Sequence, residues 1–317
     1  MLKFIIRRLI QAIPLLFIIS IISFSIIVLA PGDPVYMFIS PDKASSQNLE
    51  ALRHELGLDK SIPERYIKWI GDILKGDMGN SFAYGRPVKD ILFEVLPNTI
   101  ILALAAEIFA FVLAVPAGII SAIKRNTPWD YAFSTISFIG VSLPTFWFGL
   151  MLILVFSLKL GWLPTAGMRA NYEQFVLMDR IRHLILPTLV LGMGHMASIM
   201  RYMRASMLEV INQDYVRTAR SKGLSERLVI FKHALRNALI PIITLIGFTI
   251  PGLFSGAAMT ETVFSWPGMG RLVIDATFMR DYPVILGDLV LSSVTIIAGS
   301  LIADILYAVA DPRIKYD

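Results

Sequence analysis

The chain has 317 residues, of which 56% are hydrophobic and only 17% are charged, with a mean hydropathy of +0.66. A soluble domain is typically about half apolar and a quarter charged, so this composition is typical of a membrane protein. The chain has no cysteine, which excludes a disulfide framework, a thiolate metal site and a cysteine nucleophile.

The first apolar run, Leu9–Ala30, has 22 residues and no charged side chain. About 20 helical residues are enough to cross the hydrocarbon core of a bilayer. Lys3, Arg7 and Arg8 precede the run, so a cleaved signal peptide is the alternative interpretation. The run is too long for a signal peptide and no small-residue cleavage site follows it, so we expect a retained transmembrane helix.

Five more apolar runs follow, and together they predict an all-α membrane protein with six transmembrane helices. The runs are Asn98–Ile123, Tyr131–Leu158, Leu184–Met200, Asn237–Thr260 and Ile285–Ala310. The fourth run is short, and we expect Arg201 and Arg204 to extend it by directing their charged ends towards water. An even number of spans places both termini on the same side of the membrane.

The distribution of Lys and Arg predicts which side that is. With the N-terminus inside, the cytoplasmic segments contain 15 basic and 6 acidic residues, whereas the outer loops contain 14 basic and 15 acidic residues. Basic residues accumulate in cytoplasmic loops, and short loops carry most of this signal. The Lys124–Arg125 turn and the basic segment 201–236 therefore predict cytoplasmic termini and an outer loop at 31–97.

The outer loop contains two predicted short helices, which indicate a small helical extracytoplasmic subdomain. Residues 61–74 begin with a capping box, in which Ser61 is the cap and Glu64 follows three residues later. Residues 49–58 form a second amphipathic segment that ends near Gly57. Three roles stay open for this subdomain: packing on the spans, binding an external partner, or plugging a pathway.

The sequence contains no recognisable catalytic set. A phosphate-binding loop requires Gly-Lys followed by Ser or Thr, and the chain has no Gly-Lys pair. Residues 53–58 begin like a zinc-protease helix but lack its second histidine, and the four histidines are scattered. We expect no catalytic residue, no metal ion, no cofactor and no nucleic-acid partner for this chain.

A few ionisable residues lie within the predicted spans, where charge is expensive unless it faces the bundle interior or a wet path. Glu107, His195 and Asp288 are candidates for lining a transport pathway. Asp304 is better explained as a structural partner of a nearby arginine or helix end.

The segment 214–241 is strongly basic, with 6 Lys or Arg and 2 acidic residues. Its pattern predicts two short helices joined at Gly223, with Ser225 capping the second. Ala219 and Gly223 are four residues apart, so they share a face that we expect to be low in relief. Such an elbow suits the groove of a partner protein, and the alternative is a basic strip on anionic lipid.

The elbow resembles the cytoplasmic coupling loop of ABC importer permeases. That motif has Glu-Ala-Ala, three intervening residues, Gly, nine intervening residues and then Ile-x-Leu-Pro. Here Arg217-Thr218-Ala219 precedes Gly223, and 233–236 reads His-Ala-Leu-Arg. The second Ala, the Gly and the Leu match, whereas the Glu, the first Ala, the Ile and the Pro do not.

Further motifs resemble the dipeptide, oligopeptide and nickel branch of this family, specifically the first of its two homologous permeases. They run along nearly the whole chain: "APGDP" (30–34), "GDMGNS" (76–81), "LPNT" (96–99), "ETVFSWPGMGRL" (261–272), "RDYPV" (280–284) and "DPRIKY" (311–316).

The resemblance implies a type I ABC importer permease in a bacterial or archaeal cytoplasmic membrane, importing di- or oligopeptides. It implies a second homologous permease, two cytoplasmic ATPases that bind ATP and magnesium, an extracytoplasmic binding protein and surrounding lipid. The implied units are 1–30, 31–97 and 98–317, with a coupling loop at 212–236. Within that loop, the implied ATPase-contacting residues are Tyr215, Arg217, Ala219, Arg220, Gly223, Leu224 and Glu226.

Two alternatives to peptide import stay open. The same machinery could carry nickel chelates or oligosaccharides, which the sequence does not exclude. An ion-coupled secondary transporter is the other class, but it is typically built from inverted repeats, and the sequence shows no internal repeat.

Overall fold

The fold was analysed in a computed structural model, which describes residues 2–29, 35, 50–51, 53–54, 57–170, 176–249, 252 and 257–310. Regular structure in these ranges is helical, apart from an isolated antiparallel bridge between Asn80 and Pro87. The all-α prediction is confirmed.

Thirteen helices in the described ranges are labelled here in chain order. They are α1 Leu2–Leu29, α2 Ile62–Leu74, α3 Val88–Ile123, α4 Pro128–Ser142, α5 Thr145–Leu152, α6 Leu177–Ile211, α7 Asp214–Ser221, α8 Glu226–Leu228, α9 Leu235–Ala238, α10 Ile240–Thr249, α11 Ala258–Val263, α12 Met269–Phe278 and α13 Tyr282–Ala310. Two π-helical segments, Ile153–Lys159 and Val229–Ala234, continue α5 and α8.

Four helices in the described part of the chain are long and apolar enough to cross a membrane: α1, α3, α6 and α13. The segments 128–142 and 145–159 pass the same test only as a pair, which gives a fifth candidate. The predicted span 237–260 contains α10, but residues 250–251 and 253–256 lie outside the described residues. The count of six spans therefore stays a prediction.

The predicted span 131–158 is not one straight helix. The chain bends by 105° between α4 and α5. Leu143 is extended, with ψ 131°, and Pro144 follows it. A proline disfavours helical geometry in the residue before it and has no N–H for a helical hydrogen bond, so the helix ends there.

Helix α3 begins earlier than the sequence predicted. It starts at Val88 and contains Pro97, so the predicted boundary at residue 97 falls inside a helix. Its 36 residues correspond to about 54 Å, which is longer than the hydrocarbon core. Helix α6 is similarly long, with 35 residues, and includes the predicted span 184–200 at its centre.

Helices α3 and α6 form the main packed pair, and two glycines allow their close approach. A Cβ at Gly118 would lie 2.7 Å from Cβ of Met203. A Cβ at Gly192 would lie 2.6 Å from the ring of Phe109. Both distances are too short for real side-chain contacts, so the spacing between these helices requires glycine at both positions.

The segment 57–87, part of the predicted outer loop, packs on the predicted transmembrane helices. Helix α2 has the predicted capping box, with the backbone N–H and the hydroxyl of Ser61 both bonded to Glu64. The hydroxyls of Tyr66 and Ser20 on α1 are 2.8 Å apart. The second predicted outer helix, 49–58, lies largely outside the described residues.

Residues 81–83 of the same segment are hydrogen-bonded to a buried carboxylate, Asp281, directly before α13. Asp281 is fully buried and accepts hydrogen bonds from the hydroxyl of Ser81 at 2.5 Å and from the backbone N–H groups of Phe82 and Ala83 at 3.1 Å. These contacts satisfy the buried charge and connect two of the sequence motifs. At the other end of α13, Arg8 pairs with Asp304 at 2.9 Å, which confirms the structural role predicted for Asp304.

Candidate functional site

The basic elbow is a short helix, a left-handed turn and a second helical segment. Helix α7 ends at Ser221, Gly223 adopts φ +76°, and α8 begins at Glu226 after Ser225. Left-handed geometry is strained for residues with a Cβ, so glycine suits this position. The predicted break at Gly223 is confirmed.

One face of the elbow is buried against the rest of the chain. Val216 is fully buried and Ala219 is 5% exposed, and both belong to a core cluster that includes residues of α3, α6 and the π-helical segment 229–234. Leu224 packs partly buried on the same cluster. The prediction that Ala219 shares an accessible face with Gly223 is therefore wrong. The polar neighbours Thr218 and Arg220 are exposed, whereas the Ala219 side chain packs into the core cluster.

Polar contacts hold the elbow in shape. Arg220 donates to both carboxylate oxygens of Glu226, at 2.7 and 3.1 Å, which joins α7 to α8 across the turn. The Arg220 guanidinium lowers the pKa of Glu226 below its ordinary value, mainly through this hydrogen bond. Asn237 donates to the Tyr215 hydroxyl at 2.7 Å, which joins the elbow to α9. Arg217 is largely exposed, and its guanidinium lies 3.8 Å from Asp214.

An ion pair between the buried Asp130 and the partly buried Arg204 joins α4 to α6, and sequence reasoning missed it. Arg204 of α6 donates to both oxygens of Asp130 at 2.8 Å. Ser121 of α3 and the backbone N–H of Asn126 also donate to this carboxylate. Arg204 therefore binds α4 and α3 rather than extending towards water, which corrects the earlier prediction for this residue.

A cavity of about 260 Å³ lies between α3, α6, α10 and α11. Its described lining residues are Thr99, Leu102, Ala103, Leu191, His195, Thr249, Gly252, Ala257 and Glu261. Helices α6 and α10, which precede and follow the elbow in the chain, both contribute residues to the wall of this cavity. The cavity therefore lies between the elements that the elbow connects.

Two of the three predicted pathway residues meet at this cavity. The Nδ1 atom of His195 lies 2.7 Å from Oε2 of Glu107, and Thr249 donates to Oε1 of the same carboxylate at 3.3 Å. Glu107 is 8% exposed as a residue, whereas the His195 side chain is 42% exposed. Glu107 on α3 thus contacts α6 and α10, and it positions the imidazole at the cavity wall.

Glu261 is a second carboxylate at the cavity and was not predicted as a site residue. It is fully buried, and it accepts hydrogen bonds from the Thr99 hydroxyl at 3.0 Å and from the backbone N–H groups of Ala257 and Arg271 at 3.3 and 2.9 Å. Thr99 also accepts from the N–H of Met269. These bonds join "LPNT" to "ETVFSWPGMGRL", so both motifs serve to build this wall.

Asp288 is not among the described lining residues of the cavity, although it is close enough to the lining residue Glu261 to interact with it electrostatically. It is 8% exposed on α13, and its Oδ1 atom has no hydrogen-bond partner among the described residues. The structure does not bring it together with Glu107 and His195 at the cavity wall. Among the residues described, no group of three or more His, Cys, Asp or Glu side chains has a geometry that could hold a metal ion.

Comparison with known proteins connects this geometry to a family. Residues 114–316 match the family model described as binding-protein-dependent transport system inner membrane component, and residues 1–103 match the N-terminal model of the same system. The chain belongs to this family. The resemblance to ABC importer permeases is confirmed, and with it the identification of the chain as a multi-pass membrane permease.

Similar proteins include named peptide permeases. The oligopeptide transport system permease protein AppB of Bacillus subtilis is 46% identical, with 100% of both chains covered. The di/tripeptide transport system permease protein DppB of Pseudomonas aeruginosa is 41% identical over 100% of this chain and 99% of its own. The glutathione transport system permease protein GsiC of Escherichia coli is 41% identical, with 100% of both chains covered.

A solved structure shows the same fold. The inward-facing MetNI methionine ABC transporter aligns with a TM-score of 0.51 and 20% identity, covering 68% of this chain and 96% of the MetNI chain. This likeness supports the type I permease fold predicted from the motifs.

Proposed function

We propose that this chain is the transmembrane permease subunit of an ATP-driven, binding-protein-dependent importer of di- or oligopeptides. The full-length similarity to permeases named for oligopeptides, di- and tripeptides and glutathione supports this cargo. The chain forms half of the translocation path, and a homologous second permease forms the other half. An extracytoplasmic binding protein delivers the peptide, and lipid surrounds the spans.

The elbow is the proposed docking point for a cytoplasmic ATPase. One face of the elbow is buried against the rest of the chain, whereas Arg217 and Gly223 are exposed on the opposite face. Because Arg220 pairs with Glu226 and Tyr215 bonds Asn237, the elbow should move as one rigid unit. A movement of the docked ATPase would then displace the elbow together with α6 and α10, and it would change the shape of the cavity between these two helices.

ATP chemistry is assigned to the partner subunits. The sequence has no phosphate-binding loop of the Gly-Lys type. We expect two partner ATPases to bind ATP and magnesium, and the permease alone to hydrolyse no ATP. Robust ATP hydrolysis by the isolated, contaminant-free chain would contradict this assignment.

The orientation can be tested with single engineered cysteines, because the native chain contains none. Lys and Arg asymmetry predicts that both termini face the cytoplasm and that residues 31–97 face outwards. A cysteine at Asn80 should react with a membrane-impermeant reagent added outside. Labelling of this position only from the cytoplasmic side would overturn the topology.

The cargo is tested by reconstitution. The permease, its homologous partner, both ATPases and the binding protein are placed in vesicles, and uptake of labelled tripeptides is compared with uptake of a nickel chelate and an oligosaccharide. We expect ATP-dependent uptake of the peptides. Uptake of only the chelate or the sugar would refute peptide import and retain the permease assignment.

A further inference from the structure

The cavity between α3, α6, α10 and α11 has an uneven charge distribution. Its described lining includes Glu261 and His195, and Glu107 lies directly behind the imidazole. No lysine or arginine is among the described lining residues. The nearby Arg271 guanidinium donates to the Ser265 carbonyl at 2.8 Å, and its Nε lies 3.6 Å from Asp275, so it is engaged elsewhere.

The polar groups on the wall are held in a defined arrangement. The Nδ1 atom of His195 is bonded to Glu107, so Nε2 is the ring nitrogen left to contact a passing group, and the side chain as a whole is 42% exposed. A neutral imidazole that donates from Nδ1 accepts at Nε2, where it suits a passing N–H group. Both oxygens of Glu261 accept hydrogen bonds from fixed donors.

The net charge of the wall is negative whether or not His195 is protonated. If the imidazole is neutral, Glu107 and Glu261 together contribute two negative charges. If it is protonated, the pair with Glu107 is neutral and Glu261 contributes one. Low-permittivity walls strengthen the field of such charges and raise the local concentration of groups of opposite sign.

We propose that this cavity is a charge-selective contact site of the translocation path, at which His195 and Glu107 favour ammonium and N–H groups of the passing peptide over carboxylates. This inference rests on the proposed function, because it names the chemistry that a peptide importer would recognise within its own membrane path. Glu107 acts as a positioning residue, and His195 supplies the contacting atom.

The test uses three tripeptides that differ only in the central residue, which is lysine, glutamate or glutamine. Uptake is measured in vesicles containing the complete transporter, and the lysine-to-glutamate uptake ratio is compared between wild type and variants. The binding protein has its own preference, but the same binding protein is used throughout. That preference therefore cancels when the ratio of a variant is divided by the ratio of wild type.

Two kinds of variant change the charge of the wall. Glu107→Gln keeps the side-chain shape and should lower the lysine-to-glutamate ratio roughly tenfold. Ala103→Lys adds a positive charge to a partly exposed lining position and leaves the Glu107–His195 pair in place. It should lower the ratio further, whereas Ala103→Met, which adds similar length without charge, should leave the ratio near that of wild type.

The uptake of the glutamine peptide shows whether each variant is folded and assembled. If Glu107→Gln fails to assemble, the comparison of Ala103→Lys with Ala103→Met still decides the question. Equal ratios for these two variants and wild type would overturn charge selection while leaving peptide import intact. Failure of the wild-type transporter to take up any of the three peptides would instead contradict the proposed function.

Discussion

Substitutions at Gly223 can separate backbone strain in the elbow from steric exclusion by a docked ATPase. Gly223 has φ +76°, and an added Cβ would meet no heavy atom within 4 Å. The isolated chain therefore has room for a side chain there, but the backbone disfavours one. Left-handed geometry costs residues such as Ala or Leu roughly 1–2 kcal/mol, and Asn tolerates it better.

The two effects rank the variants differently. Strain alone should impair Gly223→Ala and Gly223→Leu equally and Gly223→Asn less. Steric exclusion should increase with size, from Ala through Asn to Leu. Strain weakens ATPase binding only to the extent that the free elbow relaxes out of the left-handed geometry and must regain it on binding. Because 1–2 kcal/mol corresponds to roughly 5–30-fold in an equilibrium constant, we expect Gly223→Ala to weaken ATPase binding by at most about that factor. Gly223→Leu should weaken it roughly tenfold more, since bulk adds to strain.

The assay is the dissociation constant of a purified ATPase for the permease in nanodiscs. Gly161→Leu is the matched control, because Gly161 also has a positive φ of +63° and no heavy atom within 4 Å of an added Cβ. It lies between α5 and α6, away from the elbow, and should leave ATPase binding unchanged. If Gly223→Leu binds as well as Gly223→Ala, the ATPase does not approach this position closely, and the shape argument is wrong.

Local sequence signals predicted much of the fold. The capping box at Ser61 and Glu64, the break at Gly223 and the pairing of Asp304 each depend on residues close in sequence or on a single expensive charge. Apolar runs predicted the four long apolar helices α1, α3, α6 and α13 and the bent pair of α4 and α5. They did not predict that α3 would continue through Pro97, because the polar residues before it look like loop.

Tertiary contacts explain what the sequence could not predict. Glu107 and His195 are 88 residues apart, and Thr99 and Glu261 are 162 apart, so no local pattern indicates that the members of each pair are in contact. The burial of Ala219 was signalled weakly by Val216 three residues earlier, since residues at that spacing lie on the same side of a helix. The prediction of an accessible face depended instead on the four-residue spacing of Ala219 and Gly223, but the helix ends at Ser221, before Gly223.

Three remaining predictions concern packing and pH. Ala219→Trp should lower the melting temperature of the isolated permease, because overpacking a buried position costs about 1–3 kcal/mol; unchanged melting would place Ala219 outside the core. Gly192→Ala should destabilise the permease as well, since its Cβ would lie 2.6 Å from the Phe109 ring, and thermal unfolding in detergent measures both. The third concerns the pair of Arg220 and Glu226. The pKa of Glu226 is lowered below its ordinary value of 4.5 by the Arg220 guanidinium. The stabilisation from a carboxylate with a lowered pKa is complete above the unfolded value and is lost as the pH falls through the folded value. Glu226→Gln should therefore cost about 0.2–1 kcal/mol near neutral pH, because the pair is exposed. Wild type should lose this advantage only at pH values below 4.5. An advantage that disappears between about pH 7 and pH 5 in thermal unfolding would mean that another group, not this carboxylate, controls the elbow.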